Sequence, residues 1–260
     1  MKILFLGDLV AKSGREAVIR SLGSLKAETG ADFVIVNGEN AAHGKGITSA
    51  IYSRLIRAGA DIVTLGNHAF SKSEILENID LCPYLVRPAN LEPLGQGASF
   101  VVRTCGNKRI AAVSVLCEAF MCPVTDSPFA AMEALLPQID ADLIIVDLHG
   151  ESTGEKIVFA RRFAASLTAV IGTHTHVQTA DERVIDGCAF ISDVGMCGAY
   201  DSVLGRDYEE VVSRFLYKKA SRYTPARGPA VICGCLIETD DVTNRAVKIT
   251  RIQKRPVSEN

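Results

Sequence analysis

Short apolar runs bounded by glycine and polar residues recur along the chain, and between them apolar positions repeat at helical spacing. Residues 2–7 and 32–37 carry the apolar runs Ile3–Leu6 and Phe33–Val36, too short for helices, which predicts buried strands. Between them, Val18, Ile19, Leu22 and Leu25 line one face of a helix over 15–29, with Gly30 as its stop. A second helix is expected over 48–58 with Thr48 as N-cap, a third strand over 61–65, and a short helix over 73–79. This β-α-β-α-β order predicts a parallel sheet with right-handed crossovers.

The second half has a different rhythm. Runs at 98–104 and 108–116 flank Gly106-Asn107, and runs at 184–185 and 189–192 flank Asp186-Gly187; both are hairpin signals. Helices are expected over 130–136, 155–165 and 207–217, strands over 142–148 and 167–171, and a final strand pair over 230–237 and 246–252. The whole fits an α/β fold, a four-layer α/β/β/α sandwich of two packed mixed sheets with helices outside. No linker-like composition shift, low-complexity tract or repeat interrupts it, so 1–260 is expected to be one domain.

Composition narrows the classes. Of the 260 residues, 48% are hydrophobic and 22% charged, ordinary for a globular protein. The net charge of -2 gives no overall nucleic-acid-binding signature and no stable nucleic-acid partner is expected, although a local basic groove is compatible with it. The N-terminal apolar run stops at Asp8, too soon for a secretion signal, and no run approaches the ~18 apolar residues of a membrane span. A cytoplasmic protein without a membrane partner is expected, with its eight scattered cysteines reduced and serving mainly as small buried hydrophobes.

The candidate chemistry lies at strand ends. Asp8 follows the first strand, Glu39-Asn40 the second, Asn67-His68 the third, His149 the strand over 142–148, and His174 and His176 the strand over 167–171. Ligand sites of open α/β sheets lie just beyond the carboxyl ends of strands. The chain has five histidines, and four of them occupy such positions. One histidine there would be unremarkable; four beside carboxylates and amides point to a metal site. Imidazole, carboxylate and amide oxygen suit manganese, iron or zinc better than a thiolate-bound ion. Glycine immediately precedes Asp8, Glu39, Asn67 and the Thr173-His174 pair, where it permits close backbone approach.

At these residues the chain resembles a known family. Gly66-Asn67-His68 and Gly172-x-His174-x-His176 are similar to signature blocks of the calcineurin-like metallophosphoesterases. Asn37-Gly-Glu-Asn-Ala-Ala-His-Gly-Lys-Gly-Ile-Thr48, Arg87-Pro-Ala-Asn90, the string from Gly172 to Arg183, and Asp193-Val-Gly-Met196 resemble its bacterial YmdB-type phosphodiesterase subfamily. The usual first block, Asp-x-His, is Asp8-Leu9-Val10 here, and the second is Gly38-Glu39-Asn40; Phe70 stands where the resemblance leads one to expect Trp.

The resemblance implies two metal ions per chain, divalent or trivalent, iron or manganese. Asp8, Glu39, Asn40 and His176 would hold the first, and Glu39, Asn67, His149 and His174 the second, with Glu39 bridging. It implies hydrolysis of cyclic nucleotides, 2′,3′-cyclic and also 3′,5′-cyclic AMP being candidates. A metal-bridging hydroxide would attack phosphorus in line, with His68 as general acid. Arg87, Thr175 and Arg206 are candidates for phosphate contact or for surface salt bridges, which spacing does not distinguish, and His43 and Lys45 for flanking the substrate or for an ordinary solvated loop. Around His149, one of Asp147, Glu151 and Glu155 would be expected to accept from a ligand imidazole, but a solvated loop or helix start is equally compatible, and they are left outside the site. The implied partner is a small-molecule phosphodiester, and a small homo-oligomer is expected.

Three other readings compete. A non-catalytic regulatory protein that binds metal or nucleotide would not need intact Asn67-His68. A metal-dependent amidohydrolase would place its His-x-His early, in a barrel of eight βα units absent here. An RNA-binding module would be basic and carry a recognisable aromatic motif.

Overall fold

Alternation along the strands sorts the apolar side chains into separate cores. In the computed structural model, which describes residues 1–121 and 124–255, β1 (Lys2–Leu6) sends Ile3 and Phe5 to one face and Leu4 and Leu6 to the other. β3 (Phe33–Asn37) divides Phe33 and Ile35 from Val34 and Val36 in the same way. With β2 (Asp8–Leu9), β4 (Ile62–Thr64), β5 (Leu85–Val86), β12 (Met196–Ala199), β13 (Ala230–Thr239) and β14 (Ala246–Lys254) they form one sheet. Its order is β2-β12-β13-β1-β3-β4-β5, with β14 paired to β13. The expected parallel register joins β1, β3, β4 and β5.

A second sheet has the order β10-β11-β9-β8-β7-β6. It comprises β6 (Phe100–Cys105), β7 (Lys108–Leu116), β8 (Leu143–His149), β9 (Ala169–Thr173), β10 (Arg183–Ile185) and β11 (Cys188–Ile191). Ile3, Phe5 and Ile35 of the first sheet meet Ile110, Ile145 and Ile171 of the second in the core between the sheets. Leu22 and Leu25 of α1 (Ala11–Thr29) and Leu55 of α2 (Ser49–Ala58) cover the outer face of the first sheet. Met132 of α4 (Pro128–Leu135) and Phe159 and Phe163 of α5 (Thr153–Phe163) cover the outer face of the second. The four layers are those the sequence predicts. The remaining helices are α3 (Ser73–Asn78) and α6 (Tyr208–Phe215).

The departures from expectation are local. α1 starts at Ala11 because the Ala11 amide donates to the Asn40 carbonyl (2.9 Å) and Val10 caps without a side-chain bond, so no capping residue marks the start. β2, β5 and β12 are too short to show a period. β2 and β12 pair in parallel, Asp8 opposite Met196, which ties Asp8 to the Asp193-Val-Gly-Met196 string. β8 and β9 run past their apolar cores to His149 and Thr173, which face each other in the ladder.

Arg87 overturns one expectation. It is buried, and its guanidinium donates to the carbonyls of Pro88, Ala89, Leu91 and Pro93. It is the hub of its own loop and not a phosphate contact. Phe70 lies beside it, with the guanidinium 5.5 Å from the ring centre. The seven described cysteines are all free; six are buried and Cys105 is half-buried, and burial pushes the Cys117 thiol up to about 12. Cys122 lies outside the described residues. Among the described residues no helix is long and apolar enough to cross a membrane.

Candidate metal centre

Close backbone approach brings the strand ends together. A Cβ on Gly66 would lie 2.1 Å from Glu39 Oε2 and 2.4 Å from His149 Nε2, so only glycine lets the loop after β4 pass the two side chains. A Cβ on Gly172 would lie 1.8 Å from the Ser192 carbonyl oxygen. The glycines that precede the candidate ligands therefore answer contacts on the far side of the chain.

The side chains converge in two groups. Around His149 Nε2 lie Asn67 Oδ1 at 2.9 Å, His174 Nδ1 at 3.1 Å and Glu39 Oε2 at 3.3 Å. Donor atoms of Glu39, His149 and His174 all fall within 4.8 Å of one another. The second group is Asp8, Asn40 and His176. Asp8 Oδ1 lies 4.0 Å from His176 Nε2, and Asn40 Nδ2 is 3.2 Å from that nitrogen and 2.9 Å from Glu39 Oε1. The two oxygens of Glu39 thus face different groups. Asp8, Glu39, Asn40 and His149 are all buried.

Each imidazole has its outer nitrogen committed elsewhere. The Thr173 hydroxyl donates to Asp147 Oδ1 (2.6 Å), so it accepts from His149 Nδ1 (2.9 Å) and turns Nε2 inward. His176 Nδ1 donates to the Leu204 carbonyl (3.0 Å), freeing Nε2. His174 Nε2 faces Glu151 Oε2 at 3.3 Å, freeing Nδ1. Once His149 gives up its proton, the inward nitrogens of three imidazoles, an amide oxygen and carboxylates cannot satisfy one another by hydrogen bonding. Asp8 Oδ1 and Asn40 Oδ1 are buried with no hydrogen-bond partner at all. Such a set fits cations, which accept every one of these donors.

The electrostatics carry the same imbalance. Burial opposes charge on His149, but Glu39, Asp8 and Asp147 outweigh it and hold the imidazole up to about 9. Burial likewise works against the Glu39 carboxylate, yet His149 and His68 bring it down to about 2. Burial pushes Asp8 up to about 6. Burial and then the charge of His149 push His174 down to about 3. His68 sits beside the first group, its amide donating to Glu39 Oε2 (3.3 Å); burial lowers its proton affinity, and nearby Lys45 lowers it further.

All eight residues read from the sequence, His68 and seven candidate ligands, therefore share this locality. His43 and Lys45 are exposed on the loop above it. Arg206 pairs with Glu210 (2.6 Å), and the Thr175 amide donates to Asp193 Oδ2 (2.9 Å).

Sequence reasoning left Asp147 outside the site and missed the other supports. Asp147 accepts from Asn37, Thr64 and Thr173 and so orients His149 through a hydroxyl; a lone acid inside the apolar run of β8 was its signal. His174 and His176 have left-handed backbone (φ 103° and 67°), a conformation costly for a side-chain-bearing residue. The fully buried Lys156 holds this loop in place by donating to the carbonyls of Thr173 (2.8 Å) and Ser192 (2.9 Å), with Asp193 Oδ2 at 3.4 Å.

Known proteins resemble this chain over nearly its whole length. A 2′,3′-cyclic-nucleotide 2′-phosphodiesterase of Bacillus subtilis is 42% identical over 255 residues, covering 97% of this chain and 96% of its own. The crystal structure of a Mycoplasma pneumoniae protein described as a novel phosphatase superposes with a TM-score of 0.92 at 35% identity, over 98% of this chain and 93% of that one. A Thermus thermophilus protein of undescribed function also gives 0.92, at 36% identity over 98% and 99%. A 5′-nucleotidase from Thermus thermophilus shares the fold over 97% of this chain at 14% identity, with a TM-score of 0.53. The model of YmdB-like proteins matches residues 4–252, from the first strand to the last, and the chain belongs to that family.

Proposed function

We propose that the chain is a phosphodiesterase with two metal ions that opens cyclic nucleotides, 2′,3′-cyclic AMP foremost and 3′,5′-cyclic AMP as a second substrate. The observation that carries this reading is the inward convergence of donor atoms around His149 Nε2, next to the orphaned oxygens of Asp8 and Asn40. The activity of the Bacillus subtilis relative supports it. Asn67, His149 and His174 would hold one ion, Asp8, Asn40 and His176 the other, and Glu39 both. The nitrogen and oxygen donors suit manganese or iron.

When bound, the pair supplies Lewis-acid activation of water and neutralises charge on the phosphoryl oxygens. The protein's part is positioning and proton transfer. Asp147 and Thr173 fix His149 in one tautomer, and the Leu204 carbonyl does the same for His176. His68, outside the ligand set, gives its proton to the leaving oxygen. Burial and Lys45 lower the proton affinity of His68, and the negative charge of a bound phosphate would raise it.

Chelation should abolish hydrolysis of 2′,3′-cyclic AMP, and manganese or iron(II) should restore it. Reloaded protein that opens neither cyclic nucleotide would contradict the reading and favour a regulatory binding protein.

A further inference from the structure

From Val211 to Ile237 the chain carries five cations, Arg214, Lys218, Lys219, Arg222 and Arg227, and no acidic residue, although its net charge is -2. All five are exposed. Among them Phe215 and Tyr217 keep 65% and 64% of their surface in solvent. A charge run is usually only a solvated face, but such a face has no use for exposed aromatic rings. Of the acids at the start of α6, Glu210 is committed to Arg206 and to the Ser221 hydroxyl (2.5 Å).

The strip is anchored on the metal centre. The Asp207 amide donates to the Thr224 carbonyl (2.9 Å) and the Ala226 amide to that of Gly205 (2.8 Å), beside the Leu204 carbonyl that receives His176 Nδ1. The Tyr223 ring lies against Gly44, where a Cβ would come within 2.4 Å of it. Gly44 belongs to the loop that starts at Glu39 and Asn40, and its amide donates to the Asn40 carbonyl (3.1 Å). Lys45, whose charge reaches His68, stands 5.8 Å from the centre of the same ring. Basic and aromatic residues therefore continue outward from the candidate ligands.

We infer that the strip seats the body of a single-stranded RNA whose 3′ end, closed as a 2′,3′-cyclic phosphate, is opened at the metal centre. The inference rests on the phosphodiesterase reading above and names its substrate class. RNA cleavage by attack of a 2′-oxygen on the adjacent phosphodiester leaves this cyclic phosphate on a chain end. A free mononucleotide presents one phosphate, which the metal centre takes, and offers the strip nothing. An RNA chain brings a negative charge with each nucleotide and bases that stack on exposed rings, the combination by which single strands are bound. The reaction balances with water alone. A new P–O bond forms to the water oxygen, the P–O2′ bond breaks, the 2′-oxygen leaves as a hydroxyl, and the RNA ends in a 3′-phosphate.

The test compares kcat/KM on 2′,3′-cyclic AMP and on a short oligoadenylate ending in a 2′,3′-cyclic phosphate. The proteins are manganese-loaded wild type and the triple variant Lys218→Ala, Lys219→Ala, Arg222→Ala, at low and raised salt. Wild type should prefer the oligonucleotide and lose that preference with salt. The triple variant should lose about 10-fold or more on the oligonucleotide while 2′,3′-cyclic AMP hydrolysis stays unchanged. Equal effects on both substrates, or no wild-type preference while 2′,3′-cyclic AMP is opened, would overturn the RNA inference alone. Failure of wild type on both substrates would instead remove the phosphodiesterase reading beneath it.

Discussion

His68→Ala is expected to lower kcat on 2′,3′-cyclic AMP by about 10²–10⁴-fold, the usual contribution of a positioned general acid, while the protein keeps its metal. His68 lies next to Asn67 in sequence, but only its backbone amide meets the Glu39 carboxylate. None of the close contacts around His149 Nε2 involves the His68 ring. Its loss should therefore spare the donor set. The leaving group gives the discriminating readout. A p-nitrophenyl ester, whose phenolate departs without a proton, should suffer far less than the cyclic nucleotide, whose alkoxide needs one. Equal losses on both substrates, or loss of metal, would contradict the role and make His68 a support for Asn67.

Lys156→Met should cost on the order of 3–5 kcal/mol, the penalty for removing one partner of a buried ion pair. The ammonium is fully buried under the His174–His176 loop and faces three oxygens: the carbonyls of Thr173 and Ser192 and the carboxylate of Asp193. Methionine fills the volume but leaves Asp193 without its cation and the Ser192 carbonyl without a donor, while the Thr173 carbonyl keeps only the Gly150 amide (3.3 Å). For a chain of this size the melting temperature should fall by on the order of 10 °C. Adding Asp193→Asn removes the stranded charge and should recover part of the loss. An unchanged melting temperature in the single variant would show that the lysine is not the strut of this loop.

The sequence carried the layers because burial patterns are local. The apolar runs at 33–37 and 143–148 lie in a line of side chains that one strand presents, and both sheets follow from them. It carried the candidate ligands for a related reason: a polar residue placed just after a buried strand stands out against its neighbours. Asp147, Thr173 and Lys156 were harder to see. Their roles exist only where β8, β9 and α5 meet, and in sequence they look like an acid in a strand, a strand-end threonine and a helix lysine. Arg87 failed in the other direction, since a conspicuous arginine in a family-like string proved to hold carbonyls of its own loop. The basic strip beyond Val211 is visible as composition, but its link to the site through Tyr223 and Gly44 needs the fold.

The central claim, that this buried donor set is built for two cations, is tested most directly by titrating manganese(II) into chelated protein at neutral pH. Calorimetry in two buffers of different ionisation heat counts the ions bound and the protons released. His149 is held up to about 9 without metal, so it is charged at neutral pH and must shed its proton to become a ligand. Two ions per chain with net proton release are expected, the affinity rising with pH towards about 9 and at least one ion lost in Asn67→Ala. No binding, a single ion without proton release, or an Asn67→Ala protein that titrates like wild type would contradict it.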